Sequence, residues 1–563
     1  MYNLHLGLQY SLALGFQTPP EGREAIHGWK RAITTGNWKP KMVKNLLLVL
    51  VLGAGLACLV PTRAQSSAPP PPAAVPETAR AFREEVIGEL SAGSSFKSIA
   101  ISGDHIAWVE DSSGKRTVRL DGVLQGGTYD DVEKARFSPG AAHFLFFGKH
   151  SSSWILVLDG REQPELYDKV SWVSFQPEGD SYAFLACQAK ECQLNVAGTK
   201  RPSAYDDFSY LQYSQDGKRL AYLGKRSGKW VAVVDGKEQE PSLDDVRGRA
   251  WGFTENGSRF YVTGRVNGKW TYIVDGQPGP GFDVVSPIAF SPDGQHYAYG
   301  GTIVKGGALK KKTIGTMVVD GKPGETYEGK GMAGSLSLIG GAWEYMLGGV
   351  RYLGADFHGV STPRFSPTGM LAYAVRQENG GVALRVGDQK GPPFENIISP
   401  VAFSLDSTQL VYIAGLSGRF QEVRNHQVVR NFSLSKTTGR VIDVPWMQMS
   451  SDGTHLAYEI VSGGQDFGAG GNERALRAVV MDGKTGPEYN ALGIESYDLS
   501  SDPKHYYYEV RGARGNNDLV NVDGLESDLY DAVWALHFAD KGKAVIFVAR
   551  RDRQILRVTL RLE

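Results

Sequence analysis

Six short acidic segments recur in the first part of the chain: Tyr129-Asp130-Asp131, Tyr167-Asp168, Tyr205-Asp206-Asp207, Leu243-Asp244-Asp245, Phe282-Asp283 and Tyr327-Glu328. Carboxylates at such regular positions suit two kinds of chemistry. Gathered into one ring, Asp130, Asp168, Asp206, Asp244 and Asp283 would form a negative mouth that draws in a basic peptide, an amine or a metal ion. Held singly, each would accept backbone N–H groups at a turn while the preceding aromatic packs into a core. Basic loops accompany them. Lys225, Arg226 and Lys229 lie in one, Arg265 and Lys269 in a second, and a third runs from Lys305 to Lys312. A basic rim around an acidic centre would orient a partner of uneven charge.

Other constellations are less productive. Cys187 and Cys192 stand five positions apart across an expected hairpin, where facing strand positions bring Cα atoms within disulfide range. A metal site would want more ligands than these two thiols, and no metal or cofactor is expected. His143, His296, His455 and His505 fall at one position of a repeat, which suits a structural use. Gly-x-Ser-x-Gly is absent, so no propeller-linked serine peptidase domain is expected. The run Gly468-Ala469-Gly470-Gly471 lacks the strand-to-helix setting of a phosphate loop. With 61 basic and 61 acidic residues there is no electrostatic case for nucleic acid. The chain reads as non-catalytic.

The elements that must carry these residues are short strands. The stretch Pro287 to Glu328 shows the pattern: an apolar run ending at Phe290, the turn Ser291-Pro292-Asp293-Gly294, an alternating run, a loop, a third run and a turn at Asp320-Gly321. Runs of this length bounded by Pro, Asp and Gly form antiparallel strands joined by hairpins. The pattern repeats, with anchors at Ile101, Phe137, Phe175, Tyr213, Phe253, Phe290, Phe365, Phe403, Met449, Leu499 and Phe538. A period near 38 residues made of strands alone is the mark of a propeller blade. Phe290 and Phe365 stand 75 residues apart, about two units, which predicts a degenerate copy within 335–362. Asp-Gly recurs at Asp121, Asp159, Asp235, Asp275, Asp320, Asp482 and Asp523, as type I′ hairpin turns require.

The turns FSPDG at 290–294, FSPTG at 365–369 and YSQDG at 213–217, each followed by an alternating run, resemble the WD-repeat-like propeller repeats of the TolB type. The resemblance covers roughly residues 95–563 and implies an exported bacterial β-propeller. It is specific for fold and poor for function, because such blades occur in binding proteins and in regulatory domains of peptidases.

The front end reads differently. Lys41 and Lys44, the apolar run Leu46–Val60 and Thr62-Arg63-Ala64 form a signal peptide at 42–64. The apolar run is short for a membrane span, which needs ~20 residues. Membrane attachment is expected only if the signal stays uncleaved. Residues 1–41 fit no pattern and are expected to be either a mis-assigned extension upstream of a true start at Met42 or a disordered extension. A Pro-rich spacer and a short helix from Glu77 to Leu90 would fill 65–94.

The whole is expected to be all-β, with tandem propellers in two six-bladed rings of four-stranded antiparallel blades, at 95–335 and 336–563. The last copy supplies three strands, so an earlier segment must supply its fourth. The expected function is a periplasmic or extracellular scaffold that binds a protein or peptide in the cell envelope. The alternative is a propeller that binds or cleaves polysaccharide with channel carboxylates.

Overall fold

The computed structural model describes residues 81–562, apart from 180, 190, 203–204, 247–249, 307–311, 331–357, 417–418, 433–440, 463–475 and 503. The signal segment, the Pro-rich spacer, residues 1–41 and the Gly-rich run at 468–471 lie outside the described residues, as does most of the expected degenerate copy.

Alternating apolar runs interrupted by tight turns become antiparallel strands, each paired mainly with the next in sequence. They build eleven sheets among the described residues, at 95–129, 131–167, 169–202, 207–243, 251–278, 284–329, 364–390, 396–432, 441–490 and 493–526, with an eleventh closing the chain. We number these blades 1 to 11. Each visible sequence anchor made one blade. At the Asp-Gly turns the aspartates all adopt φ between 47° and 53° and the glycines are also left-handed, as type I′ hairpins demand. The aspartate also holds the start of the second strand: Asp320 Oδ1 accepts the Tyr297 N–H at 2.9 Å and Oδ2 meets His296 Nδ1 at 2.8 Å. At the Phe-Ser-Pro-Asp-Gly turn, Ser291 Oγ donates to Asp293 Oδ1 (2.6 Å) and accepts the His296 N–H (2.9 Å).

The blades form a single ring of eleven, which corrects the expectation of two six-bladed rings. That expectation leaned on the usual propeller size of ~4–8 blades and placed a boundary at 335/336. The described residues on either side of 331–357 pack on each other as neighbouring blades. Ala298 and Met317 of blade 6 share one apolar cluster with Val360 and Val375, which belong to the approach and second strand of blade 7. Arg385 of blade 7 donates to Glu325 Oε2 (3.1 Å) and Tyr327 Oη (2.9 Å) of blade 6, and Arg376 Nη1 reaches the Glu328 carbonyl (3.0 Å).

Closure is made by the chain start. The expected helix at 77–90 is, over its described part, strand β1 (Arg83–Glu89). It pairs antiparallel with Gln554–Arg561 and becomes the fourth strand of blade 11, whose other strands are Ala532–Ala539 and Ala544–Arg551. The edge of Gln554–Arg561 offers unpaired backbone groups, and an extended partner satisfies them where a helix would not. Blade 11 then packs on blade 1: Ile106 and Trp108 cluster with Val548 and Ile555, and Phe96 lies 5.3 Å from Trp534.

A recurrent latch joins neighbours. A buried tyrosine at the end of one blade's outer strand donates to a glutamate on the next blade's outer strand, as in Tyr129–Glu162 (2.8 Å), Tyr205–Glu238 (2.7 Å) and Tyr489–Glu526 (2.8 Å). The ring of Tyr129 lies over Gly148, where a Cβ would stand 2.3 Å from it. At the closure the same latch is Tyr530 to Glu84 (2.6 Å), with Glu84 also gripped by both Nη atoms of Arg551 (2.7 and 2.8 Å). Glu84→Ala leaves Tyr530, which has no exposed surface, without its acceptor. The expected loss is about 1.5–3 kcal/mol, the range for a charged hydrogen bond, read as a lower urea midpoint; an unchanged midpoint would show that the latch does not hold the ring closed.

Candidate ligand-binding site: crossover carboxylates and inner wall

The predicted acidic residues lie on the crossovers from one blade's outer strand to the next blade's innermost strand. Each stitches a turn. Asp130 Oδ2 accepts the N–H of Ser151 (2.7 Å), Asp168 that of Ala189 (2.7 Å), Asp206 that of Ser227 (3.1 Å), Asp244 that of Gly268 (3.2 Å) and Asp283 that of Val304 (2.9 Å). The first four of these groups sit in the hairpin between second and third strands of the following blade, where Ser151, Ala189, Ser227 and Asn267 adopt positive φ.

The predicted basic rim supplies partners for the same carboxylates. Lys229 bonds Asp244 and Lys269 bonds Asp283 (2.5 Å), while Lys115, at the matching position of blade 1, bonds Asp130. Arg226 grips Glu238 with two bonds of 2.9 Å. Lys225 and Arg265 lie over the rings of Trp230 and Trp270, each at 5.4 Å. The lysine bond and the turn N–H hold Asp130 and Asp244 below the ordinary carboxylate range. For Asp283, burial pushes upward, but Lys269 and the Val304 N–H outweigh it. Two residues of the predicted rim, Lys229 and Lys269, thus pair directly with two acids of the predicted mouth, Asp244 and Asp283. Cys187 and Cys192 pair across the hairpin of blade 3 and are joined by a disulfide, with Cα atoms 4.0 Å apart.

The inner wall carries residues that the sequence reading passed over. In blades 2, 3 and 4 the innermost strand contains a register shift just before the anchor, between Glu133 and Arg136, Val170 and Val173, and Ser209 and Leu211. Such bulges re-aim a side chain. Here they present Lys134, Trp172 and Tyr210, which with Trp251 of blade 5 form a continuous ladder. Lys134 Nζ lies 6.0 Å from the Trp172 ring, Trp172 is 5.2 Å from Tyr210, and Tyr210 is 5.0 Å from Trp251. Trp172 is 36% exposed. Arg136, two residues beyond Lys134, is solvent-exposed yet ringed by protein, and that surrounding lowers its pKa. No carboxylate among the described residues pairs with it. Aligning the three residues before each anchor exposes this row in the sequence, since Trp172 and Tyr210 stand at the same offset from Phe175 and Tyr213.

One buried acid stands apart. Glu509, on the second strand of blade 10, accepts a bond from Ser496 Oγ (3.0 Å). In blade 9 the matching residue is Glu459, which is paired with Arg477 (2.6 Å). The register places Asp518 where Arg477 would be. Burial, then the negative charge of Asp518, push the Glu509 carboxyl up to about 8. Among the described residues, no group of three or more His, Cys, Asp or Glu side chains is placed to hold a metal.

Fold and site together define a β-propeller protein whose crossover carboxylates hold hairpin N–H groups and whose innermost strands carry an aromatic row. No protein-family model matches the chain. No curated protein matches it. Among solved structures it is similar to "the eukaryotic initiation factor" (14% identity, TM-score 0.33, 68% of this chain and 97% of that one). It is also similar to the Dos1 propeller (11%, 0.31, 62% and 91%). A third is the propeller domain of the Trilobed protease from Pyrococcus furiosus (13%, 0.21, 62% and 98%).

The native Glu509 keeps a proton that the unfolded chain releases above its ordinary value of 4.5. The native state therefore binds more protons between that value and about 8, and stability falls as pH rises through this window. Urea unfolding near pH 5 and pH 8 is expected to show a loss of a few kcal/mol, on the order of the linkage for such a shift. Glu509→Gln removes the ionisation and should flatten the slope; an equal slope in the variant would assign the pH dependence to other groups.

Proposed function

We propose that this chain is an exported, non-catalytic propeller scaffold of the WD-repeat-like, TolB-like type that binds a protein or peptide partner in the periplasm or outside the cell, through its inner wall. The observation that carries this reading is the contrast between two surfaces. The crossover carboxylates are engaged with turn N–H groups and lysines, while Arg136 and Trp172 face solvent on the innermost strands without an ionic partner for the arginine. The signal-like segment at 42–64 and the Cys187–Cys192 disulfide support export.

A second reading, in which the propeller acts on polysaccharide, draws on Glu509 as an acid that stays protonated at neutral pH behind the exposed Ser496. Glu509 is only 6% exposed, so a glycan chain would have to reach past Ser496. Release of reducing ends from a polysaccharide by the native chain, and not by Glu509→Gln, would replace the scaffold reading.

The test of the main reading is affinity capture from envelope extract by the chain beginning at Gln65. A variant with Asp130, Asp168, Asp206 and Asp244 changed to Asn serves as the comparison. The same partner is expected on both forms, with the variant unfolding at lower denaturant. Loss of the partner from a variant that remains folded would place binding at the acidic mouth and end the inner-wall assignment.

A further inference from the structure

We infer that the inner wall of blades 2 to 5 is a binding strip for an extended, proline-rich peptide that carries an acidic residue at the blade 2 end. The inference rests on the protein- or peptide-binding reading above and names the chemistry of the occupant. Three observations carry it.

The first is backbone strain at Tyr210, whose φ is 56°. A bulky aromatic in the left-handed region is an outlier, and such outliers cluster where a side chain is being presented. The matching bulge positions in blades 2, 10 and 11 hold Lys134, Ser496 and Ala535, also with positive φ. The backbone there does not require an aromatic, yet blade 4 bears one, set between Trp172 and Trp251.

The second is the form of the ladder. Its rings are tilted by 36° and 40° to one another, at steps of 5.2 and 5.0 Å. Tyr210 has a tryptophan on each side, so no broad open ring face is available at the centre for a sugar to lie flat against. A row of neighbouring aromatic rings suits the pyrrolidine rings of a polyproline II helix, which dock on aromatic-lined surfaces.

The third is the charge at one end. Arg136 has no counter-ion among the described residues, and Lys134 stands over the face of Trp172, with only Glu133 (3.6 Å) as partner. Among the described residues, the positive charge beside this ladder lies at the blade 2 end, which suits an acidic residue on the ligand there. A single-stranded nucleic acid would need cations tracking its whole backbone, and the described residues of blades 3 to 5 place none on this ladder.

The test is fluorescence anisotropy on the full chain from Gln65. The probes are labelled peptides of about twelve residues, a span of about four turns, built from Pro-Pro-Ala triplets and ending in two glutamates or two lysines. The glutamate-ended peptide is expected to bind more tightly than the lysine-ended one. Trp172→Ala and Tyr210→Ser should each weaken it about tenfold, the scale of an aromatic anchor. The serine matches Ser496, which occupies the same bulge in blade 10, so the fold is expected to survive. Arg136→Glu should reverse the preference between the two peptide ends. The strip is refuted if neither peptide binds, if all three variants bind as the native chain does, or if a neutral β-glucan oligosaccharide binds instead. Partner capture that persists in the Trp172 and Tyr210 variants refutes the strip while leaving the scaffold reading standing; loss of partner capture in every form, native included, removes that reading itself.

Discussion

Everything in this molecule depends on ring closure. A blade presents two sheet faces, and each must be covered by a neighbour, because the apolar clusters are shared between consecutive sheets rather than contained within them. Ala107 and Val109 of blade 1 pack with Phe144, Phe146 and Val157 of blade 2, and the same arrangement recurs around the ring. An open arc would leave two faces and one sheet edge in water. The pairing of β1 with Gln554–Arg561, locked by Glu84 between Tyr530 and Arg551, removes all of these exposures at once. Ties between segments far apart in sequence are entropically demanding to form, which makes this one charged latch the point where local repetition becomes a global structure.

The electrostatics follow the same economy. Charged residues are frequent, yet most of those singled out in the sequence serve the backbone. An aspartate on a crossover holds the following hairpin, and at Asp130, Asp244 and Asp283 the lysine opening the preceding blade's third strand holds that aspartate. The pairing is within reach because outer strand and third strand are neighbours in one sheet, so residues about fifteen positions apart end side by side, as Lys229 and Asp244 do. Arg136 lies on an innermost strand, exposed and without a carboxylate partner among the described residues.

Bulges on the innermost strands separate the structural use of a repeat position from a specific one. A left-handed residue stands three positions before the anchor in blades 2, 4, 10 and 11, and serine or alanine fills that place in blades 10 and 11. Replacing it with tyrosine in blade 4, beside tryptophans from blades 3 and 5, adds strain and a surface that folding alone does not call for.

The sequence by itself determined the strands, their hairpins and the number of visible blades. Those features rest on local chemistry: a period of two in hydrophobicity, left-handed turns that Asp-Gly adopts readily, and an anchor before each Ser-Pro turn. It also exposed the need for a borrowed strand in the last blade, and the pairing of Cys187 with Cys192 follows from hairpin register. Three matters were settled by packing around the ring, and two of them, the ring count and the helix expected at 77–90, came out against the sequence expectation. The count of rings depends on whether blade 6 meets blade 7, a contact between Tyr327 and Arg385 that no local pattern encodes. The state of residues 83–89 depends on a waiting edge over 460 positions away, and that edge turns an apparent helix into a strand. The work of Asp130 or Asp244 depends on which lysine and which N–H group the ring brings within bonding distance. Spacing along a chain fixes what neighbours in sequence will do; closure of the ring fixes which strangers become neighbours, and most of the candidate site is made of those.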